Sequence, residues 1–260
     1  MKVAVCMKEV PDASAPRRID PQTFRLDRSS QGALNAYDAN ALEEALTLKD
    51  ADPGTEVVVV SMGPPGAMDS LRKALAMGAD RVLLVADEAA GGSDLVATSK
   101  VLARALERES PDLVLFGQQA SDSDGAVLWA AVADRLRLPM VSQAASLEVA
   151  GGKARAKRQT EHGYDVIEAP LPCVVAVSDA INEPRYPSLK GIMGAKAKPQ
   201  ETVSLAALGI SPEETGEAGS RTEVYRLNPP PPRGESRRIE DEGGSSAEKI
   251  VEYLVEKKLV

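Results

Sequence analysis

Short, continuously apolar, β-branched runs alternate with longer segments of helical period through most of this chain, and no other feature restricts the fold as much. The runs KVAVC (2–6), EVVVVS (56–61), RVLLV (81–85), DLVLF (112–116) and CVVAV (173–177) predict strands that are apolar on both faces. A strand without a polar face is buried on both sides, the condition of a parallel sheet layered between helices. Residues 38–49, 67–77, 94–109 and 124–136 repeat apolar side chains at intervals of three and four, as helices do when one face meets a core. Strand and helix in repeated succession predict a doubly wound α/β fold with a mostly parallel sheet.

After residue 139 the rhythm changes. The stretch VSQAASLEVAGGKARAKRQTEHGYDVIEAPLP alternates in polarity around Gly151-Gly152, a pair suited to a tight hairpin turn, and predicts an antiparallel extension. From about residue 182 proline and glycine rise, and NPPPPRGESRRIEDEGG (228–244) reads as an extended arm. Ser245-Ser246-Ala247-Glu248 then matches a capping box, and Ile250, Val251, Leu254 and Val255 form the apolar face of a terminal helix. On this reading an α/β domain occupies residues 1–200, and the arm with its helix occupies 201–260.

Composition removes several functions. A 260-residue chain with 43% hydrophobic residues builds a sizeable core. Its 39 acidic against 31 basic residues leave a net charge of −8, and aromatics are 3%, so nucleic acid is not an expected partner. No apolar run approaches the roughly 18 residues of a membrane span, so no membrane insertion is expected. The opening MKVAVCMKEV is broken by Lys8 and Glu9 too soon for a secretory signal, which points to the cytoplasm. Cys6 and Cys173 lie inside strand-like runs and read as buried structural thiols. The one histidine, His162, has no partner for a metal site or a nucleophilic triad, and the carboxylates read as solvated helix faces without an acid–base pair. A binding or carrier protein fits better than a self-sufficient enzyme, and redox chemistry would come from a bound cofactor.

Ligands of open parallel sheets bind beyond the carboxyl ends of the strands. Three exits stand out: Cys6-Met7-Lys8, Ser61-Met62-Gly63-Pro64, and Gly117-Gln118-Gln119-Ala120-Ser121-Asp122-Ser123-Asp124-Gly125. The last is a small-residue loop leading into a predicted helix, whose amides and dipole suit a phosphate. Asp122 and Asp124 suit the cap of that helix. An ordinary strand-to-helix turn has the same composition, and no strict G-x-G-x-x-G or P-loop is present.

NEPRYPSLKGIMGAKAK (182–198) closely resembles the beta subunit of electron transfer flavoproteins. So do LPCVVAVSDAINEPRYPSL, DANALEEALTLK, RKALAMGADRVLLV and GQQASDSD, and the resemblance covers most of residues 1–200. It implies a heterodimer in which an alpha subunit holds most of the FAD and this subunit covers part of the flavin. Electrons would come from acyl-CoA dehydrogenases or other flavin dehydrogenases and pass to a membrane quinone oxidoreductase. A structural AMP is implied in this subunit, at Cys6, Asn35, Asp38, Met62 and the loop 117–127, which ends in Ala126 and Val127; Tyr37 would cover the flavin ring. The alternative is an electron-bifurcating relative, with a second FAD in this subunit and NADH as donor.

The chain departs from the family pattern in three places. Gly125-Ala126-Val127-Leu128 stands where the family places amide or hydroxyl side chains, leaving a phosphate to backbone amides; Ala13 stands for an aromatic residue; and Gln159, after Arg158, stands for a glutamate. The segment Tyr186-Pro187-Ser188-Leu189-Lys190-Gly191-Ile192-Met193 places an apolar Leu189 among prolines, glycines and the cations Lys190, Lys196 and Lys198, an anchor within a charged rim. The resemblance implies that this is the loop that docks onto dehydrogenases; the arm and terminal helix, whose apolar face needs a surface, read from their own composition as contacting the partner subunit or as packing back on their own domain.

Overall fold

The five apolar runs become five strands because side chains on both of their faces are covered, one face by each of two hydrophobic clusters. In chain order the computed structural model contains β1 (Lys2–Cys6), β2 (Glu9–Pro11), β3 (Gly32–Leu34), α1 (Ala36–Ala51), β4 (Glu56–Met62), α2 (Ala67–Met77), β5 (Arg81–Val85), α3 (Leu95–Glu109) and β6 (Leu113–Gly117). There follow α4 (Leu128–Leu136), β7 (Met140–Ala150), β8 (Lys153–Thr160), β9 (Gly163–Pro170), β10 (Cys173–Val177), α5 (Leu189–Ala195), β11 (Gln200–Val203), α6 (Gly216–Gly219) and α7 (Ser246–Glu256). The structure describes residues 1–228, 231, 238, 240–241 and 243–260, which divide into two units, Met1–Glu223 and Val224–Val260.

Among the described residues the main sheet has nine strands in the order β11-β5-β4-β1-β6-β10-β7-β8-β9. Pairing is parallel from β11 to β7 and antiparallel through β8 and β9. Val3, Val5, Val57 and Val59 pack with the buried faces of α1 and α2. Ala4, Cys6, Val58 and Val60 pack with α3 and α4 on the other side. The chain is therefore a doubly wound α/β protein. From β1 it passes to β4 and β5 on one side, then returns to β6 on the other, which puts the topological switch point between β1 and β6.

The antiparallel extension turns at Gly151 and Gly152, both with positive φ (58° and 74°), as a primed turn requires. A second hairpin, closed at Gly163 with φ 133°, adds β9, and a small sheet of β2 with β3 stands apart. Composition places the domain boundary at 200/201, whereas the units separate at 223/224. Residues Gln200–Val203 pair with β5, and Val203, Leu205 and Ile210 enter the core, so this stretch belongs to the sheet. The second unit contains α7, where Ser245 has helical backbone (φ −85°, ψ −1°), so the expected capping box is not how this helix begins. Most of the arm 228–244 lies outside the described residues. Among the described residues no helix is long and apolar enough to cross a membrane.

Three further expectations are corrected. Helix α4 begins at Leu128 rather than at 124, leaving a ten-residue loop, 118–127, in front of it. Carboxylates expected on solvated faces are buried on α1, namely Asp38, Glu43 and Glu44. Lys198 is not a rim charge; its ammonium donates to the carbonyls of Leu75 (2.9 Å) and Ala79 (2.6 Å) at the end of α2.

Candidate functional site

At the switch point the ends of β1 and β6 meet the first turn of α1. A Cβ on Gly117 would lie 2.6 Å from the Tyr37 carbonyl oxygen and 2.7 Å from the Asp38 nitrogen, so only glycine lets the strand end approach the helix this closely. The Asp38 carboxylate accepts the Lys8 amide at 2.8 Å, with the Gly117 amide and the Asn35 side chain beside it. Burial nevertheless pushes its pKa up to about 7. Asn35 braces the loop, donating from Nδ2 to the Gln119 carbonyl (2.8 Å) and accepting the Ser121 amide at Oδ1 (3.1 Å). Trp129 donates to the Gln118 carbonyl at 3.1 Å, and Gln119 Nε2 reaches the Tyr37 hydroxyl and the Asp124 carboxylate at 3.4 and 3.3 Å.

The two aspartates of the loop do not cap α4. The Asp122 side chain is buried and takes Lys8 Nζ at 2.9 Å together with the Arg28 guanidinium. Burial raises its pKa, but the two cations outweigh that and hold it below the usual carboxylate range. Position 127, the N-cap of α4, is valine and makes no side-chain cap. The amides of Gly125, Ala126, Val127, Leu128 and Trp129 consequently donate to no described residue. Asp124 and Ala126, either side of Gly125, both have φ 46°, so the chain enters the helix through left-handed turns of the kind that gather successive amides around an anion. Cys6 is buried at the end of β1; burial first, and then the Asp38 charge, push its thiol pKa well up, and burial takes that of Cys173 to about 11. Neither is an activated nucleophile.

Cys6, Asn35, Tyr37, Asp38 and the loop 117–127 thus gather at one edge, with Met62 one strand over at the end of β4. Sequence reasoning did not identify Arg28 as a member of this site. Its partner Asp122 is 94 residues away, and no local pattern announces the pair. Ser61 opens the second of the three strand exits read from the sequence; its hydroxyl is buried and has no hydrogen-bond partner among the described residues.

The segment 186–193 lies elsewhere. Helices of a doubly wound fold run against their strands, so the far ends of α1 and α2, to which this segment is attached, lie at the opposite edge of the sheet. Ser188 caps α5 by accepting the Gly191 amide at 3.0 Å, giving a short helix in place of the expected loop. A Cβ on Gly191 would fall well inside contact distance of the Ala76 carbonyl oxygen, so α5 sits backbone to backbone on α2. Leu189 and Met193 are three-quarters exposed, at 75% and 77%; Tyr186 and Ile192 also face solvent. For a chain that buries its apolar residues well, this is a conspicuous apolar patch.

Comparison with known proteins adds to this geometry. Residues 23–208 match the model of the electron transfer flavoprotein domain. The chain is 42% identical over 259 residues to the caffeyl-CoA reductase-Etf complex subunit CarD of Acetobacterium woodii, covering 99% of this chain and 97% of that protein. It is 39% identical over 264 residues to the electron transfer flavoprotein subunit beta of Mycobacterium leprae (99% of each), and 36% over 271 residues to that of Megasphaera elsdenii (100% of each).

Proposed function

The chain belongs to the electron transfer flavoprotein family, as a beta subunit, and from that premise we propose that it partners an alpha subunit, covers part of the FAD held there, and binds AMP at the β1–β6 switch point. The observation that carries the nucleotide reading is the run of five amides without acceptors at 125–129, opened by the left-handed residues Asp124 and Ala126. Nine-residue α4 adds its dipole to them. These donors replace the amide and hydroxyl side chains that the family places there, so the residues present fit a phosphate.

Each neighbouring group has a role in that reading. Lys8 and Arg28 hold Asp122 and so fix the loop, while Asn35 pins its first half to the start of α1. Tyr37, tethered by Gln119, is the ring assigned to the flavin's face. FAD, when bound, supplies the single-electron chemistry. Electrons would arrive from acyl-CoA dehydrogenases or similar flavoenzymes docked on the patch around Leu189, and leave toward a quinone oxidoreductase. Two buried free thiols accord with a reducing cytoplasm. Leu189→Ala should slow electron transfer from such a dehydrogenase while leaving the flavin spectrum unchanged; an unaltered rate removes the docking role.

A second reading has a specific observation behind it, the 42% identity to a subunit of a caffeyl-CoA reductase-Etf complex. There the site would hold a second FAD, with NADH as the donor to a bifurcating complex. Because FAD contains an AMP moiety, the same amides serve either nucleotide. Acid release from the purified heterodimer separates the two: one FAD with one AMP supports the carrier, and two FAD support bifurcation. Ala126→Asp tests the amide site itself. Aspartate tolerates the left-handed backbone but sets a carboxylate among the donors, so the adenine nucleotide should fall from about one per heterodimer to a small fraction. Ala126→Asn, of the same shape without the charge, should retain it.

A further inference from the structure

Helix α1 leads away from the switch point, and beyond its first turn it carries polar groups that the nucleotide site does not use. Asn40, Glu43 and Glu44 are all buried there, at 6%, 8% and 8% exposure. Glutamate is rarely buried unless paired, and the pairs in this case are all to one stretch of chain some 140 residues later. Arg185 donates through Nε and Nη2 to the Glu43 carboxylate (2.8 Å each), and its own amide donates to the same carboxylate at 3.0 Å. Nη2 also reaches Asp50 at 2.8 Å. Asn40 and Asn182 exchange amide-to-carbonyl bonds of 2.8 and 3.1 Å, and Asn182 donates further to Glu44 at 3.1 Å. Burial pushes the Glu44 carboxyl pKa up, the Asn182 hydrogen bond offsets part of this, and the neighbouring Glu43 charge adds to the rise.

We propose that this cluster is a clamp: Glu43, Asp50 and Asn40 of α1 hold Arg185 and Asn182 so that Leu189, Ile192 and Met193 are presented to the dehydrogenase in one fixed pose. The inference rests on the docking reading above and adds positioning residues to it. The three apolar side chains stand at i, i+3 and i+4 of α5, which places them on one helical face. Seven-residue α5 is too short to be stable alone. It is held from both sides, by Gly191 and Lys198 on α2 and by Arg185 on α1. Segments ordered before binding do not lose that freedom on association, so a rigid patch docks with a lower entropic cost. From Asp38 to Asp50 the helix also rises about 18 Å at 1.5 Å per residue. The clamp therefore sets a fixed spacing between the docking patch and the switch-point site.

The test uses the assembled heterodimer, an acyl-CoA dehydrogenase reduced with butyryl-CoA as electron donor, and the variants Arg185→Lys, Glu43→Gln, their combination, and Leu189→Ala. Arg185→Lys keeps the charge and loses the two-pronged geometry. We expect KM for the heterodimer to rise about tenfold with kcat unchanged, amide exchange to quicken across 186–195, and flavin and nucleotide content to stay at wild-type values. The combined variant should be no worse than the more severe single one, since both remove one interaction. Leu189→Ala should raise KM without changing exchange. If it raises KM while Arg185→Lys and Glu43→Gln do not, the clamp is overturned and the docking reading stands. If Leu189→Ala has no effect, the docking reading fails, and the clamp with it. A higher KM in the clamp variants without faster exchange, or additive effects in the combination, overturns positioning in favour of a direct charge contact.

Discussion

Gly117→Ala is expected to destabilise the protein by about 3 kcal/mol or more. The added methyl would lie 2.6 Å from the Tyr37 carbonyl oxygen and 2.7 Å from the Asp38 nitrogen, and closer still to the Tyr37 carbonyl carbon. All three are backbone atoms, so no side-chain rotation relieves the overlap. The start of α1 cannot withdraw freely, because the Asn35 amide donates to the Lys8 carbonyl and Asp38 holds the Lys8 amide. The end of β6 is held as well, with Gly117 in register beside Val177 of β10. Something in this junction must break, and the Lys8 amide bond to Asp38 is the one most directly exposed to the shift. Gly125→Ala is the matched control eight residues on, where nothing lies within 4 Å of the added carbon; its effect should stay within about 0.5 kcal/mol. Urea midpoints of the two variants decide the matter, and equal midpoints would refute the close strand–helix approach. Gly117→Ala should also lose its nucleotide, since the loop 118–127 starts from this junction.

The same junction shows where sequence reasoning succeeds and where it stops. RVLLV and CVVAV become strands over the residues read from their apolar runs, because a strand covered on both faces has no polar position to blur its ends. The 67–77 helix is equally legible, with its apolar period ending at Gly78. β11 is not legible: QETV is short and mostly polar, and it becomes a strand only because β5 offers an open edge. The segment LKGIMGA carries two glycines and reads as loop, yet Ser188 and the close contact of Gly191 with α2 make it helical. At 122 and 124 the cap chemistry is present in the composition but Lys8 and Arg28 take Asp122, so α4 starts four residues late and its amides stay open. Long-range charge pairs account for the rest. Glu43 looks like any solvated helix carboxylate until Arg185 is placed beside it. The strand ends that form the candidate site were legible because their position follows from topology; their individual bonds do not.

Between pH 5 and 7 the assembled protein should lose stability as pH rises, by up to about 1.4 kcal/mol per unit, and Asp38→Asn should abolish most of that slope. Asp38 titrates at about 7 when folded against 3.8 as an ordinary carboxyl, chiefly because burial disfavours the charge. An acid whose folded pKa is raised binds its proton more tightly in the native chain. Its contribution is fully present below the unfolded value and is lost as pH climbs through the folded one. The ion-paired carboxylates Glu109 and Asp122 have lowered pKa values and act with the opposite sign, but their contributions are complete above the ordinary carboxylate range. In the window from 5 to 7 Asp38 and Glu44, both raised, therefore act in one direction, and Asp38→Asn separates the Asp38 share. Urea titrations of wild type and Asp38→Asn at pH 5, 6 and 7 measure it directly, and a wild-type stability that is flat across the window would mean that Asp38 is already ionised. A neutral Asp38 also bears on the site. An ionised carboxylate at the start of α1 would repel a phosphate gathered by the amides of the adjoining loop, whereas the protonated acid does not. Raising the pH from 6 to 8 should accordingly loosen the bound nucleotide in the wild type and leave Asp38→Asn unaffected, linking one buried carboxyl to both the fold and its ligand.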